Sequence, residues 1–237
     1  MVNMEIRRFA APEYAIANAM NTLCTNLTFT DGMKKIMITS CHPQEGKSYI
    51  AMHLLYTMVT SLGMRAILVD ADIRASALRG SFGIRITPSK GYLGLTGYLS
   101  NQCGMEEIIG KTNIPGADLI LAGKTVMNSL PLYNSSHMDR LLERLASEYD
   151  VVIVDAPPVG TIVDAARIAA VCDGTLFVVE SGGVRARKLK GAAAQIEKAG
   201  CPIIGYVLNK STDRNRDDDY HYYGGYGSQG GKRDSLR

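Results

Sequence analysis

The chain has 237 residues, 46% hydrophobic and 21% charged, which excludes disorder throughout and suffices for one α/β domain that buries its core without staples. Its 26 basic and 23 acidic residues leave a net charge of +3, so bulk charge makes no case for nucleic acid or an anionic membrane. Five scattered cysteines (Cys24, Cys41, Cys103, Cys172 and Cys201) read as a reducing compartment, no apolar h-region follows Met1–Ala10, and the longest apolar stretch, Tyr49–Leu62, is too short to span a bilayer, so a soluble cytoplasmic chain is expected.

In chain order, residues 1–30 read as an N-terminal segment with a helix over Pro12–Leu27. Residues 31–210 follow as the main domain. A strand at Ile36–Ser40 leads into a helix at Lys47–Leu62, and strands at Ala66–Asp70 and Leu119–Ala122 come next. A helix at Ser135–Tyr149, a strand at Val151–Asp155 and a helix at Val163–Val171 continue the alternation. It closes with a strand at Thr175–Glu180, a helix at Val184–Ala199 and a strand at Ile203–Asn209. The strands are nearly unbroken apolar runs, as parallel strands covered on both faces require. Strand–helix alternation of this kind predicts an α/β fold with a doubly wound, mostly parallel sheet. Ligands of such sheets sit beyond the carboxyl ends of the strands, where Ser40, Asp70, Asp155 and Asn209 fall. Residues 211–237 are rich in Gly, Asp and Tyr with almost no aliphatic side chain, and are expected to be a disordered tail. That tail gathers Tyr220, Tyr222, Tyr223 and Tyr226, for which it has no packing use.

Three motifs point to phosphate chemistry. Cys41-His-Pro-Gln-Glu45-Gly46-Lys47-Ser48 lies between a strand and a helix, the context of a P-loop. Amides at the helix start favour phosphate, Lys47 reaches the β- and γ-phosphates, and the Ser48 hydroxyl ligates Mg²⁺. Asp70-Ala-Asp72 ends the next strand, and two carboxylates there suit a bound Mg²⁺ and proton transfer, or else a solvated turn. Val151–Val154 delivers Asp155 to a strand end in the Walker B manner, though an aspartate there also caps helices. Asn209 is placed to touch a nucleotide base or simply to end a strand. Thr212 stands where a guanine reader would carry an acid, so ATP is preferred over GTP.

These residues resemble bacterial tyrosine autokinases of capsular and exopolysaccharide synthesis, in their cytoplasmic, streptococcal-type form. The resemblance runs through Leu23–Leu27, Glu45–Ser48, Leu68–Arg74, Gly94–Ser100, Val151–Pro158, Val207–Lys210 and the tyrosine tail. It implies a P-loop kinase domain that transfers phosphate from Mg-ATP to Tyr220, Tyr222, Tyr223 and Tyr226 of a neighbouring copy. It also implies Lys47, Asp70, Asp72 and Asp155 as catalytic residues, with either Asp70 or Asp72 as the base. Glu45, Gly46, Lys47, Ser48, Tyr49 and Asn209 would bind nucleotide, and Ser48, Asp70 and Asp155 the metal. Its implied partners are a membrane-embedded polysaccharide co-polymerase or adaptor, which activates the kinase and recruits it to the inner face of the plasma membrane, and a tyrosine phosphatase. No nucleic-acid partner is implied.

The pattern departs from the family at two places. A Glu-x-x-Arg-x-x-Arg ring-forming helix is replaced by Asn18, Asn21 and Cys24. Gln44 stands where glycine is usual, so a Cβ is expected where the backbone needs φ > 0. The other readings are a regulatory ATP-binding partner that switches without catalysis, and a partitioning-type ATPase. His42, where that second class carries its signature lysine, weighs against it.

Overall fold

In a parallel strand covered on both faces, successive side chains enter opposite cores, so an unbroken apolar run is what the sheet demands. The computed structural model describes residues 2–28, 32–88, 91–134, 136–159 and 164–211. Its strands are β1 (Val2–Glu5), β2 (Lys35–Ser40), β3 (Ala66–Asp70), β4 (Arg85–Thr87), β5 (Gly110–Thr112), β6 (Ala117–Ile120), β7 (Val151–Asp155), β8 (Gly174–Glu180) and β9 (Ile203–Asn209). Its helices are α1 (Tyr14–Thr28), α2 (Lys47–Thr60), α3 (Leu78–Ser81), α4 (Gly94–Leu99), α5 (Leu130–Tyr133), α6 (Ser136–Glu148), α7 (Asp164–Ala169) and α8 (Ala186–Lys198).

Every residue of β3 and β7 is buried. On β3, Ile67 and Val69 enter a core covered by α6, α7 and α8, while Ala66 and Leu68 enter a second core beneath α1 and α2. Helix α1 presents Met20, Cys24 and Leu27, spaced along one face, to that second core. Cys24, at the last position of the missing ring motif, therefore faces the interior.

The sheet order is β4-β1-β5-β6-β3-β7-β2-β8-β9. From β6 to β9 all neighbours are parallel, and among the described residues antiparallel pairs occur only at β5–β6 and β1–β4. The crossover from β2 through α2 to β3 leaves a slot that β7 fills. The carboxyl ends of β2, β7 and β3 consequently lie side by side, and Asp70 and Asp155 are register partners.

The apolar pattern does not announce β1, β4 or β5. Strand β1 pairs with both β4 and β5, yet only Met4 of its side chains is buried. Backbone pairing, which carries no side-chain signal, defines it. The N-terminal segment thus begins as a strand of the same sheet. The expected tail, with Tyr220, Tyr222, Tyr223 and Tyr226, lies outside the described residues. Among the described residues no helix is long and apolar enough to cross a membrane.

Candidate active site

The chain turns from β2 into α2 through Cys41–Gly46, and this turn needs left-handed backbone twice, at Gln44 (φ 65°) and Gly46 (φ 96°). Glycine takes such a conformation freely, whereas glutamine does so against its own Cβ. The expectation drawn from Gln44 matches the observed backbone. Around the turn, the Asn209 amide nitrogen donates to the Glu45 carbonyl at 2.9 Å, and Lys210 Nζ donates to the Gln44 carbonyl at 2.8 Å. Lys210 also pairs with Glu180 at 3.1 Å. The buried Glu45 carboxylate accepts the His42 amide at 2.7 Å and the Glu180 amide at 3.4 Å. Glu45 and Asn209 therefore shape the loop, which opens at the positive end of the α2 dipole.

Lys47, in the first turn of α2, brings the three motifs together. Its Nζ lies 3.1 Å from Asp72 Oδ2 and 3.9 Å from Asp155 Oδ1. Burial alone would lower its pKa, but the Asp155 and Asp72 carboxylates outweigh burial and hold the ammonium above its usual range. Burial pushes the Asp70 carboxyl up to about 7, with the neighbouring Asp155 carboxylate adding to the effect. Burial also raises Asp155, opposed by Lys47 and by a hydrogen bond from Ser48. Asp72 has both oxygens engaged, one by the Ala75 amide at 3.1 Å and the other by Lys47.

Asp70 Oδ1 and Asp155 Oδ1 are buried without a hydrogen-bond partner. Carboxylate oxygens in that position are costly unless a cation meets them, and only Asp155 Oδ1 has one nearby, the Lys47 ammonium at 3.9 Å. With the Ser48 hydroxyl beside Asp155, they form an oxygen set that fits Mg²⁺, an ion that usually takes one or two carboxylates and completes its shell with water and phosphate oxygens. Among the described residues, no group of three or more His, Cys, Asp or Glu could hold a metal.

Several supporting residues carried no motif. The Ser76 hydroxyl donates to Asp70, and the Ala122 amide lies beside it. The buried Tyr133 hydroxyl donates to the Ala71 carbonyl at 2.5 Å, pinning the backbone between the two aspartates. Ser129 in turn donates to the buried Asp164. Tyr133 and Ser129 meet partners 62 and 35 residues away, so spacing could not find them. Tyr49 lies in the first turn of α2 with its half-exposed ring 4.2 Å from that of His53.

Residues 33–192 match the AAA domain family. The tyrosine-protein kinase CpsD of Streptococcus agalactiae is 34% identical over 218 residues, covering 92% of this chain and 90% of that protein. The tyrosine-protein kinase YwqD of Bacillus subtilis (strain 168) is 30% identical over 218 residues, covering 90% of this chain and 88% of that protein. Among solved structures, the kinase domain of the Escherichia coli tyrosine kinase ETK superposes with a TM-score of 0.75 at 25% identity, over 92% of this chain and 80% of that one.

Proposed function

The chain belongs to the bacterial tyrosine-protein kinases, and from that premise we propose that it transfers the γ-phosphoryl group of ATP to tyrosines in the tail of a second copy of itself. The observation that carries this reading is the meeting of Lys47 with Asp72 and Asp155 at adjacent strand ends beside Asp70.

Lys47 and the loop amides bind and orient the phosphates. Ser48, Asp70 and Asp155 would hold Mg²⁺, which neutralises charge on the phosphate oxygens. A tyrosyl oxygen attacks the γ-phosphorus, the bond to the β,γ-bridging oxygen breaks, and ADP leaves. The phenolic proton passes to the Asp70–Asp72 pair. The acceptors in this reading are Tyr220, Tyr222, Tyr223 and Tyr226. The cytoplasmic end of a membrane-embedded adaptor activates the kinase and brings it to the inner face of the plasma membrane. A tyrosine phosphatase resets the tail, and the cycle regulates capsule or exopolysaccharide assembly.

The test is intact mass and site mapping after incubation with Mg-ATP and the adaptor's cytoplasmic end. Phosphate confined to Tyr220–Tyr226 and absent from Lys47→Met and Asp70→Ala proteins is expected. Phosphotyrosine that persists in Lys47→Met protein alone would overturn the assignment.

A further inference from the structure

Beyond the ends of β3 and β6 lies a cavity of about 270 Å³, lined in part by Ser76, Arg79, Tyr92, Ala122, Gly123 and Lys124. Ser76 donates to Asp70 and the Ala122 amide lies beside it, so the cavity borders the Asp70–Asp72 pair directly. Its walls are firmly placed. The Tyr92 hydroxyl donates to the Ile108 carbonyl and accepts the Leu121 amide, each at 3.0 Å. A Cβ on Gly94 would lie 2.6 Å from the Gly123 Cα, so the two backbones close against each other. Arg79 and Lys124 are exposed, and neither forms an ion pair with a carboxylate among the described residues. Two uncompensated cations at a cavity beside a phosphoryl-transfer carboxylate call for an anionic acceptor.

The chain itself carries one. Asp217, Asp218 and Asp219 run directly into Tyr220 and the tyrosines after it. We propose that this cavity is the acceptor subsite, where Arg79 and Lys124 receive the Asp217–Asp219 run of a second copy's tail and so deliver the following tyrosines to Asp70. The proposal rests on the kinase reading above and adds to it what selects the acceptor.

Five strand spacings separate β9 from β6, roughly 24 Å at about 4.8 Å each. From Ser211, two residues past β9, to Asp217 the chain spans at most about 20 Å when fully extended. Asp219, eight residues past Ser211, reaches roughly 26 Å, so chain length admits either copy's tail and the second copy follows from the kinase reading above.

The test uses two full-length proteins with Mg-ATP and the adaptor's cytoplasmic end. One, with its four tail tyrosines changed to Phe, serves as the enzyme. The other, carrying Lys47→Met, serves as the acceptor, and phosphate on it is read by mass. Arg79→Glu with Lys124→Glu in the enzyme should lower transfer about tenfold, the loss expected of two exposed ion pairs at ~1 kcal/mol or less each. Asp217, Asp218 and Asp219→Lys in the acceptor should do the same. Combining the two should restore transfer, which a misfolded enzyme cannot do. In parallel, a fluorescent peptide of residues 217–227 is titrated by anisotropy into each enzyme. Transfer that ignores both charge changes overturns the subsite and leaves the kinase standing. Peptide binding that follows the charges without any transfer keeps the subsite and removes the kinase. Neither binding nor transfer overturns both.

Discussion

Replacing Gly46 by alanine tests how β9 supports the phosphate loop. The added Cβ would lie 2.1 Å from Asn209 Nδ2, a separation no packed structure tolerates. Alanine at φ 96° carries roughly 1–2 kcal/mol of backbone strain. The lower chain entropy of unfolded alanine offsets this by roughly 0.4–1 kcal/mol, leaving about 1 kcal/mol net. The methyl group also displaces Asn209 and breaks its 2.9 Å hydrogen bond to Glu45, a further loss of about 1 kcal/mol. Gly46→Ala should therefore destabilise by about 2 kcal/mol, a drop in Tm of roughly 4–8 °C for a chain of this size. Asn209→Ala alone should lose about 1 kcal/mol. Once Asn209 is gone, the hydrogen bond cannot be lost twice. The double variant should then sit near 2 rather than 3 kcal/mol, a coupling of about 1 kcal/mol. Urea and thermal unfolding of the four proteins measure the cycle, and calorimetric titration with ATP measures whether loop shape and nucleotide affinity fall together. Strict additivity, or a Gly46→Ala protein as stable as its parent, would refute the claim that Asn209 holds this loop.

His53 is buried between the rings of Phe9 and Tyr49, with Nδ1 lacking a partner and burial holding its pKa below the usual histidine value. The unfolded chain therefore binds more protons near that pKa. The neutral imidazole's contribution is complete above about pH 6.5 and is lost as pH falls below it, with a slope of at most ~1.4 kcal/mol per pH unit. His53→Gln should flatten the pH–stability curve over that window, and identical slopes would count against the assignment. Ser129→Ala removes the hydroxyl that donates to Asp164, whose other oxygen already lacks a partner, and should destabilise by roughly 1–3 kcal/mol. Denaturant midpoints compare this variant with Ser129→Ala/Asp164→Asn, which should recover part of the loss because a neutral amide replaces the buried charge.

The sequence by itself determined the parts whose physics is local. Parallel strands buried on both faces must be apolar throughout, so Ala66–Asp70, Val151–Asp155 and the other central strands could be read directly. A turn that cradles phosphate must place Gly46, Lys47 and Ser48 together. A strand that delivers a carboxylate must end as Asp70 and Asp155 do. The left-handed backbone at Gln44 was expected only through the family resemblance, in whose loops glycine stands there. Only the tertiary structure decided the rest. Strand β7 enters between β2 and β3, and that insertion, a property of the chain crossover, sets Asp155 beside Asp70 and both near Lys47. The short strands β1, β4 and β5 exist through backbone pairing with one another and with β6, which leaves no apolar pattern. Tyr133 and Asn209 hold the aspartate segment and the loop by hydrogen bonds from segments far apart in the chain. Arg79 and Lys124, 45 residues apart in the chain, meet at one cavity only in the fold. Local spacing names the chemistry a residue can perform, while the partner that makes it perform is supplied by long-range packing.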